Sequence, residues 1–338
     1  MLFFSQTASA PSQVSTERFS DVQQPSGSTE RSSEEQQSTV STEQTSFPKS
    51  GPTLRRKILR RGRRKAKINN EESMYILGTN AAGILNNLES IEHFVYKFKP
   101  GVFFIQESKT KRKNKVKLSD YVVFEHIRNK SGGGGLLTAV HKNLNPVSIG
   151  SEDDEEVLTV QSTIMDKKVR FINPYGPQES VTDETKLMFF NKLDEEVKSA
   201  KLAGSMICLE MDANSKLGSG LIPGDTNPQS KNGKYLENLL EENNLICVNS
   251  TSLCEGITTR YRKTVNRTEK SVLDYFIVCK EFFKLISKMI IDEERKFPLA
   301  KYSTTNGQKD VTESDHNISM LLLKIKLRSL HQHSNQRK

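Results

Sequence analysis

From Met74 onward the chain alternates short apolar runs with polar, turn-forming stretches. Apolar runs of a few residues bounded by turn residues read as buried strands. They predict strands at residues 75–77, 102–105, 121–124, 136–140, 158–163, 169–172, 206–209, 246–248, 273–278 and 318–323. Leu85, Leu88, Ile91, Val95 and Phe98 are spaced for one helix face. Leu187, Phe190, Leu193 and Val197 predict a second helix, and Leu236, Leu239 and Leu240 a third. Many strands and few helices, with no internal repeat, imply one α/β domain over 71–338 with two packed sheets and outer helices.

Residues 1–54 break this pattern. They are rich in Ser, Thr, Gln and Glu and poor in apolar residues after Phe4. Such a segment cannot bury enough surface to offset its chain entropy, so a disordered tail is expected through residue 70. Met1 to Phe4 is too short for a secretory signal, and no run of about 18 apolar residues is available to span a membrane. Cys208, Cys247, Cys254 and Cys279 show no CxxC spacing, which excludes a zinc ribbon and fits reduced core thiols without a disulfide partner.

The net charge of +9 is concentrated in one place. Residues 1–54 hold six acids and three bases, whereas RRKILRRGRRKAK at 55–67 holds nine bases and no acid. The run is expected to bind phosphates or direct nuclear import, with a solvated linker as the plainer alternative. Its candidate nucleic-acid contacts are Arg55, Arg56, Lys57, Arg60, Arg61, Arg63, Arg64 and Lys65. A nuclear location is expected on this ground, otherwise a cytoplasmic one.

The stretch SMICLEMDANSKLGSG at 205–220 places Glu210, Asp212 and Asn214 at alternate positions after an apolar run. An EF-hand loop beginning at Glu210 would need Gly at its sixth position and Glu at its twelfth, where Ser215 and Leu221 stand. The stretch is instead a strand whose polar end delivers side chains to a cleft. SGGGG at 131–135 lacks the GK[ST] ending of a phosphate loop and precedes a strand, so it predicts a hairpin turn.

Polar residues recur at the ends of the other strands: Asn80, then Gln106-Glu107, Asn173-Pro174-Tyr175-Gly176, Asp274, and Ser314-Asp315-His316. In this order the set resembles the endonuclease/exonuclease/phosphatase superfamily over about residues 74–327. Pro174-Tyr175-Gly176-Pro177 and DANSKLGSGLIPG resemble the apurinic-endonuclease-like branch, and most of all the endonuclease domains of non-LTR retrotransposons.

The resemblance implies a four-layered α/β sandwich and metal-dependent phosphodiester hydrolysis. It makes Glu107 the main ligand of Mg²⁺, with Mn²⁺ as a substitute, and places Asp315 and Asn80 nearby. Asp212 would accept the proton of the attacking water, and Asn214 would orient that water or the phosphate. His316 would donate to a phosphate oxygen, Asp274 would fix the His316 tautomer, and Tyr175 would add a donor. The expected partner is DNA, nicked in one strand to leave a 3′-hydroxyl, and the expected state is a monomer. The chain ends shortly after its last expected strand, so no reverse transcriptase is expected beside this domain. Alternatives are an apurinic-site repair endonuclease, a phosphatase or RNA exonuclease, and a catalytically decayed DNA-binding module.

Three departures qualify the resemblance. Met211 stands where the family has Gly and is expected to crowd the strand end. Thr79 replaces a usual Trp, and Ala82 replaces the Asp frequent in apurinic endonucleases. Glu210 has no family counterpart and is expected to be solvated or to bind a turn.

Overall fold

A computed structural model describes residues 71–111, 115–128, 134–150, 156–305 and 308–326. The tail and the basic run, with all eight of its candidate phosphate contacts, lie outside the described residues. In chain order the first eight strands are β1 (Glu71–Asn80), β2 (Val102–Gln106), β3 (Tyr121–His126), β4 (Leu136–His141), β5 (Val147–Ile149), β6 (Val157–Ile164), β7 (Lys167–Pro174) and β8 (Met206–Asp212). There follow β9 (Ile246–Cys247), β10 (Cys254–Glu255), β11 (Arg260–Lys263), β12 (Thr268–Ser271), β13 (Asp274–Val278), β14 (Ile286–Ile291), β15 (Ala300–Thr305), β16 (Gln308–Glu313) and β17 (Ser319–Lys326). The helices are α1 (Leu88–Phe98), α2 (Asp183–Leu202), α3 (Lys231–Glu242) and the short α4 (Lys280–Phe283).

Two mixed sheets form the centre. One has seven strands in the order β10-β14-β17-β1-β2-β4-β3, and the other has six in the order β5-β6-β7-β8-β13-β9. Each contains a parallel pair, β1/β2 and β7/β8, joined through α1 and α2. The expected sandwich is therefore the observed one. The hairpin predicted at SGGGG falls between β3 and β4, which pair antiparallel, although residues 131–133 are outside the described part.

Strand period fixes which residues meet. Successive side chains point to opposite faces of a sheet. On β1 and β2, Leu77, Phe103 and Ile105 pack with Ile91 and Phe94 of α1 on the outer face. The alternate residues face the other sheet, where Phe104 meets Phe171 of β7 and Phe276 of β13 edge-on at 6.0 and 6.4 Å. Phe190, Leu193 and Val197 of α2 and Leu236 of α3 join the larger apolar cluster with β7 and β8. Thr182 caps α2 by accepting from the Thr185 amide, and Ser230 caps α3 by accepting from the Gly233 amide.

Two of the apolar positions spaced for helix faces lie off the buried stripe. Leu85 precedes α1 in a 3₁₀ turn and is exposed, and Leu187 is exposed on α2. Cys208, Cys247 and Cys279 are buried, Cys254 is partly so, and all four are free thiols. No described helix is long and apolar enough to cross a membrane.

Candidate active site

The same alternation brings a polar set to the strand ends between the two sheets. Asn80 ends β1, Glu107 follows β2, Tyr175 follows β7, Asp212 ends β8 and Asp274 begins β13. Asp212 and Asp274 are paired directly across the β8–β13 ladder, so their side chains share one face. Ser314, Asp315 and His316 arrive on the segment before β17.

The contacts are mutual and cross from sheet to sheet. Asn80 Nδ2 donates to Asp212 Oδ2 at 2.8 Å, and the Asn214 amide donates to Asp212 Oδ1 at 3.0 Å. His316 Nδ1 lies 3.0 Å from both oxygens of Asp274. His316 Nε2 lies 3.9 Å from Asp212 Oδ2, beyond hydrogen-bond length. Tyr175 donates its hydroxyl to Glu107 Oε1 at 2.7 Å, and Lys109 Nζ pairs with Glu107 Oε2 at 2.8 Å. Asn214 Nδ2 donates to the Gly176 carbonyl at 2.9 Å. Asp315 is engaged differently: Arg260 Nε donates to its Oδ2 at 2.8 Å.

Backbone conformation contributes to this placement. Glu107 and Asn214 both adopt left-handed φ, 47° and 45°, a region non-glycine residues rarely occupy and one enriched at functional sites. Gly176 is required by close approach. A Cβ there would overlap the Ala213 carbonyl and stand 2.9 Å from Ala213 Cα.

Burial and neighbouring charge set the protonation states. Burial pushes Asp212 up to about 6, with Asp274 adding to the rise and His316 opposing it. Burial opposes the charging of His316, yet the Asp274 and Asp212 carboxylates raise it to about 9. Burial also pushes Glu107 up, but hydrogen bonds from Lys109 and Tyr175 outweigh it and hold the carboxyl below its ordinary value. Burial, with Asp212 and Glu107 nearby, keeps the Tyr175 hydroxyl protonated by raising its pKa. At neutral pH the site thus holds an ionised Glu107, a cationic His316 and a carboxylate poised near neutrality.

Seven of the eight residues expected from the sequence form this contact network, and the eighth, Asp315, adjoins it through His316. Two expectations are corrected. Glu210 is neither solvated nor at a turn but fully buried, its Oε2 accepting from Gln106 Nε2 at 2.6 Å. Burial first, then the Asp274 charge, push its carboxyl well above the ordinary range. Met211 does not crowd the site, because it points away from Asp212 into the apolar cluster.

Further residues join the site without an expected role: Ser314, noted above only within the run Ser314-Asp315-His316, and Arg260, which was not expected. Ser314 Oγ donates to the Asn80 carbonyl at 3.2 Å and accepts from the His316 amide at 3.3 Å. Arg260 is 55 residues from its partner, so nothing local announces it. Lys216, Arg260, Arg262, Arg267 and Lys270 line a groove beside the site, with Glu269 the only acid among the described lining residues.

No family model and no curated protein matches this chain. Among solved structures it is similar to the endonuclease domain of TRAS1, a telomere-specific non-LTR retrotransposon, at 17% identity and TM-score 0.54 over 75% of this chain and 99% of that one. It is similar to the catalytic domain of APE2 from Xenopus laevis at 15% identity and TM-score 0.58, covering 75% and 94%. It is also similar to the 3′ phosphatase NExo from Neisseria, bound to a product DNA hairpin, at 15% identity and TM-score 0.55, covering 73% and 98%. The fold is the one these nucleases and phosphatases share.

Proposed function

We propose that this protein is a Mg²⁺-dependent DNA endonuclease of retroelement descent that nicks one strand and leaves a 3′-hydroxyl. The observation that carries the reading is the buried group of Asp212, Asp274 and His316 at the strand ends, whose ligand atoms lie within 4.8 Å of one another.

Each residue has a task its geometry suits. Asp212 takes the proton of the attacking water, with its oxygens held by Asn80 Nδ2 and the Asn214 amide. A base near pH 6 is matched to work at neutral pH. His316 is cationic there and donates from Nε2 to a phosphate oxygen, because Nδ1 is committed to Asp274. Tyr175, hydrogen-bonded to Glu107, would add a donor to the phosphate, and Asn214, beside Asp212, would orient the water or the phosphate.

The donor set fits a hard divalent cation, being carboxylate and amide oxygens with an ionised Glu107 still partly open to water. Glu107 and Asn80 would hold it, and Asp315 would join once released from Arg260. A bound cation would offset charge on the phosphoryl and leaving oxygens.

The basic groove favours a polyanionic substrate that extends past the scissile bond. The run at 55–67 would add non-specific affinity or direct nuclear import. Likeness to the TRAS1 domain and the DANSKLGSGLIPG stretch support retroelement descent.

Substrate choice is tested with matched duplexes, one intact and one carrying a single abasic site, followed by primer extension from the cut end. Nicking of both, with extendable 3′ ends, is expected. Cutting confined to the abasic duplex would replace this reading with repair.

A further inference from the structure

Below the site a second layer of hydrogen bonds crosses between the sheets. Gln106 Nε2 donates to Glu210 Oε2 at 2.6 Å and to Asn173 Oδ1 at 2.8 Å. Asn173 Nδ2 donates in turn to the Leu137 carbonyl at 3.0 Å and to Thr138 Oγ1 at 3.1 Å. Strands β7 and β8 of one sheet are thereby tied to β2 and β4 of the other.

Gln106, Asn173 and Glu210 each precede a site residue at or just beyond the end of their own strand. Gln106 is followed by Glu107. Asn173 lies two residues before Tyr175 and Glu210 two before Asp212, each on the same face as the residue it precedes. On β1 the corresponding position, two before Asn80, is Gly78.

Gly78 and Glu210 are complementary in shape. A Cβ on Gly78 would fall within 2.5 Å of three Glu210 atoms, Cγ, Cδ and Oε1. The Glu210 side chain therefore fills the space that the missing Cβ leaves between β1 and β8. A buried carboxyl carries a desolvation cost that an apolar side chain of similar size would avoid. What it adds is direction, because it grips Gln106 beside Glu107.

We propose that Glu210 is a positioning residue: seated on Gly78, it sets the separation of β1 and β8 and so holds Asn80 against Asp212. The claim rests on the functional reading of Asn80 and Asp212 given above. Among the described residues, no contact of Glu210 reaches solvent, so it acts through the strands and never on the substrate.

The full-length chain is compared with Glu210→Gln, Glu210→Ala, Gly78→Ala and the Gly78→Ala/Glu210→Ala double variant, by crystal structure and by steady-state nicking of supercoiled plasmid in Mg²⁺. Glu210→Gln keeps the acceptor for Gln106 and is expected to stay within about threefold of wild type. Glu210→Ala and Gly78→Ala should lower kcat by about 10- to 100-fold with little change in KM, as a misplacement near 1 Å does. The Asn80–Asp212 contact should open from 2.8 Å to more than about 3.5 Å. In the double variant the added methyl has no carboxyl to meet, so it should be more active than Gly78→Ala alone.

Variants that melt earlier but keep kcat within about twofold and the Asn80–Asp212 contact intact would overturn the proposal. If Gly78→Ala does not fold, Glu210→Ala decides, since truncation introduces no overlap. A wild type without nicking defeats the enzyme reading itself, and the variant structures then settle the positioning claim by the Asn80–Asp212 distance.

Discussion

Asp274 lies directly opposite Asp212 in the β8–β13 ladder, so two buried carboxylates share a single imidazole, that of His316. Like charges this close disfavour joint ionisation, and the cation between them lessens the conflict. The arrangement gives one carboxylate that anchors the ring, one cation and one carboxylate poised as a base.

Removing the imidazole should therefore do more than delete a donor. His316→Ala is expected to lower kcat by about 10²- to 10⁴-fold and to push Asp212 higher, since the His316 charge is the largest influence opposing its rise. Asp274→Asn leaves the ring in place but weakens its cationic form, and a smaller loss is expected. Plasmid-nicking kinetics check both, and a His316→Ala protein with wild-type kcat would remove the residue from the mechanism.

Stability should fall as pH rises. His316 is raised from 6.5 to about 9 on folding, so its contribution is complete below about 6.5 and lost as pH climbs through 9. Asp212 acts in the same sense at lower pH, between 3.8 and about 6. Urea titrations in EDTA at pH 6.5 and 9 should differ by on the order of 3 kcal/mol, flattened in His316→Ala. A flat wild-type profile contradicts the charge assignment.

Gly176→Ala should disturb fold and site together. The new methyl meets the Ala213 backbone, which cannot swing away as a flexible side chain would. A loss of about 1–3 kcal/mol is expected from overpacking, with kcat reduced because Asp212 and Asn214 flank Ala213. Thermal melting and nicking rates measure the two effects, and an unperturbed variant would show that Gly176 has room for a methyl beside Ala213.

Neutralising the groove should change binding without changing chemistry. Arg262→Gln and Lys270→Gln, both lining it, are expected to weaken DNA binding and to reduce the slope of log K against log salt by up to about 0.9 each. kcat should be preserved. Fluorescence anisotropy across a salt series reads the slope, and an unchanged slope would place the DNA track elsewhere.

Much of the architecture was legible because it depends on period. The apolar runs that became β1, β2, β4, β6, β7, β8, β13 and β17 are buried on both faces, and such strands stand out from their surroundings. Their polar ends gave the site. What escaped was pairing at a distance and strands without an apolar signal. β11 and β12 read RYRK and TEKS, an exposed basic hairpin with no buried alternation. The burial of Glu210 is not legible locally, because buried carboxyls are rare and the glycine that makes room for it, Gly78, lies 132 residues earlier on the other sheet. Met211 adjoins Asp212 in the chain but not in space, since adjacent residues on a strand face opposite ways.

The central claim, that the buried Asp212–His316 pair hydrolyses DNA with a divalent cation, is tested most directly by one plasmid assay. Purified wild type, Asp212→Asn and His316→Ala are incubated with supercoiled plasmid in Mg²⁺ and in EDTA. The account predicts open-circular product from wild type in Mg²⁺ alone, with both variants reduced at least about 100-fold. Equal background nicking by all three proteins, or nicking that persists in EDTA, would contradict it.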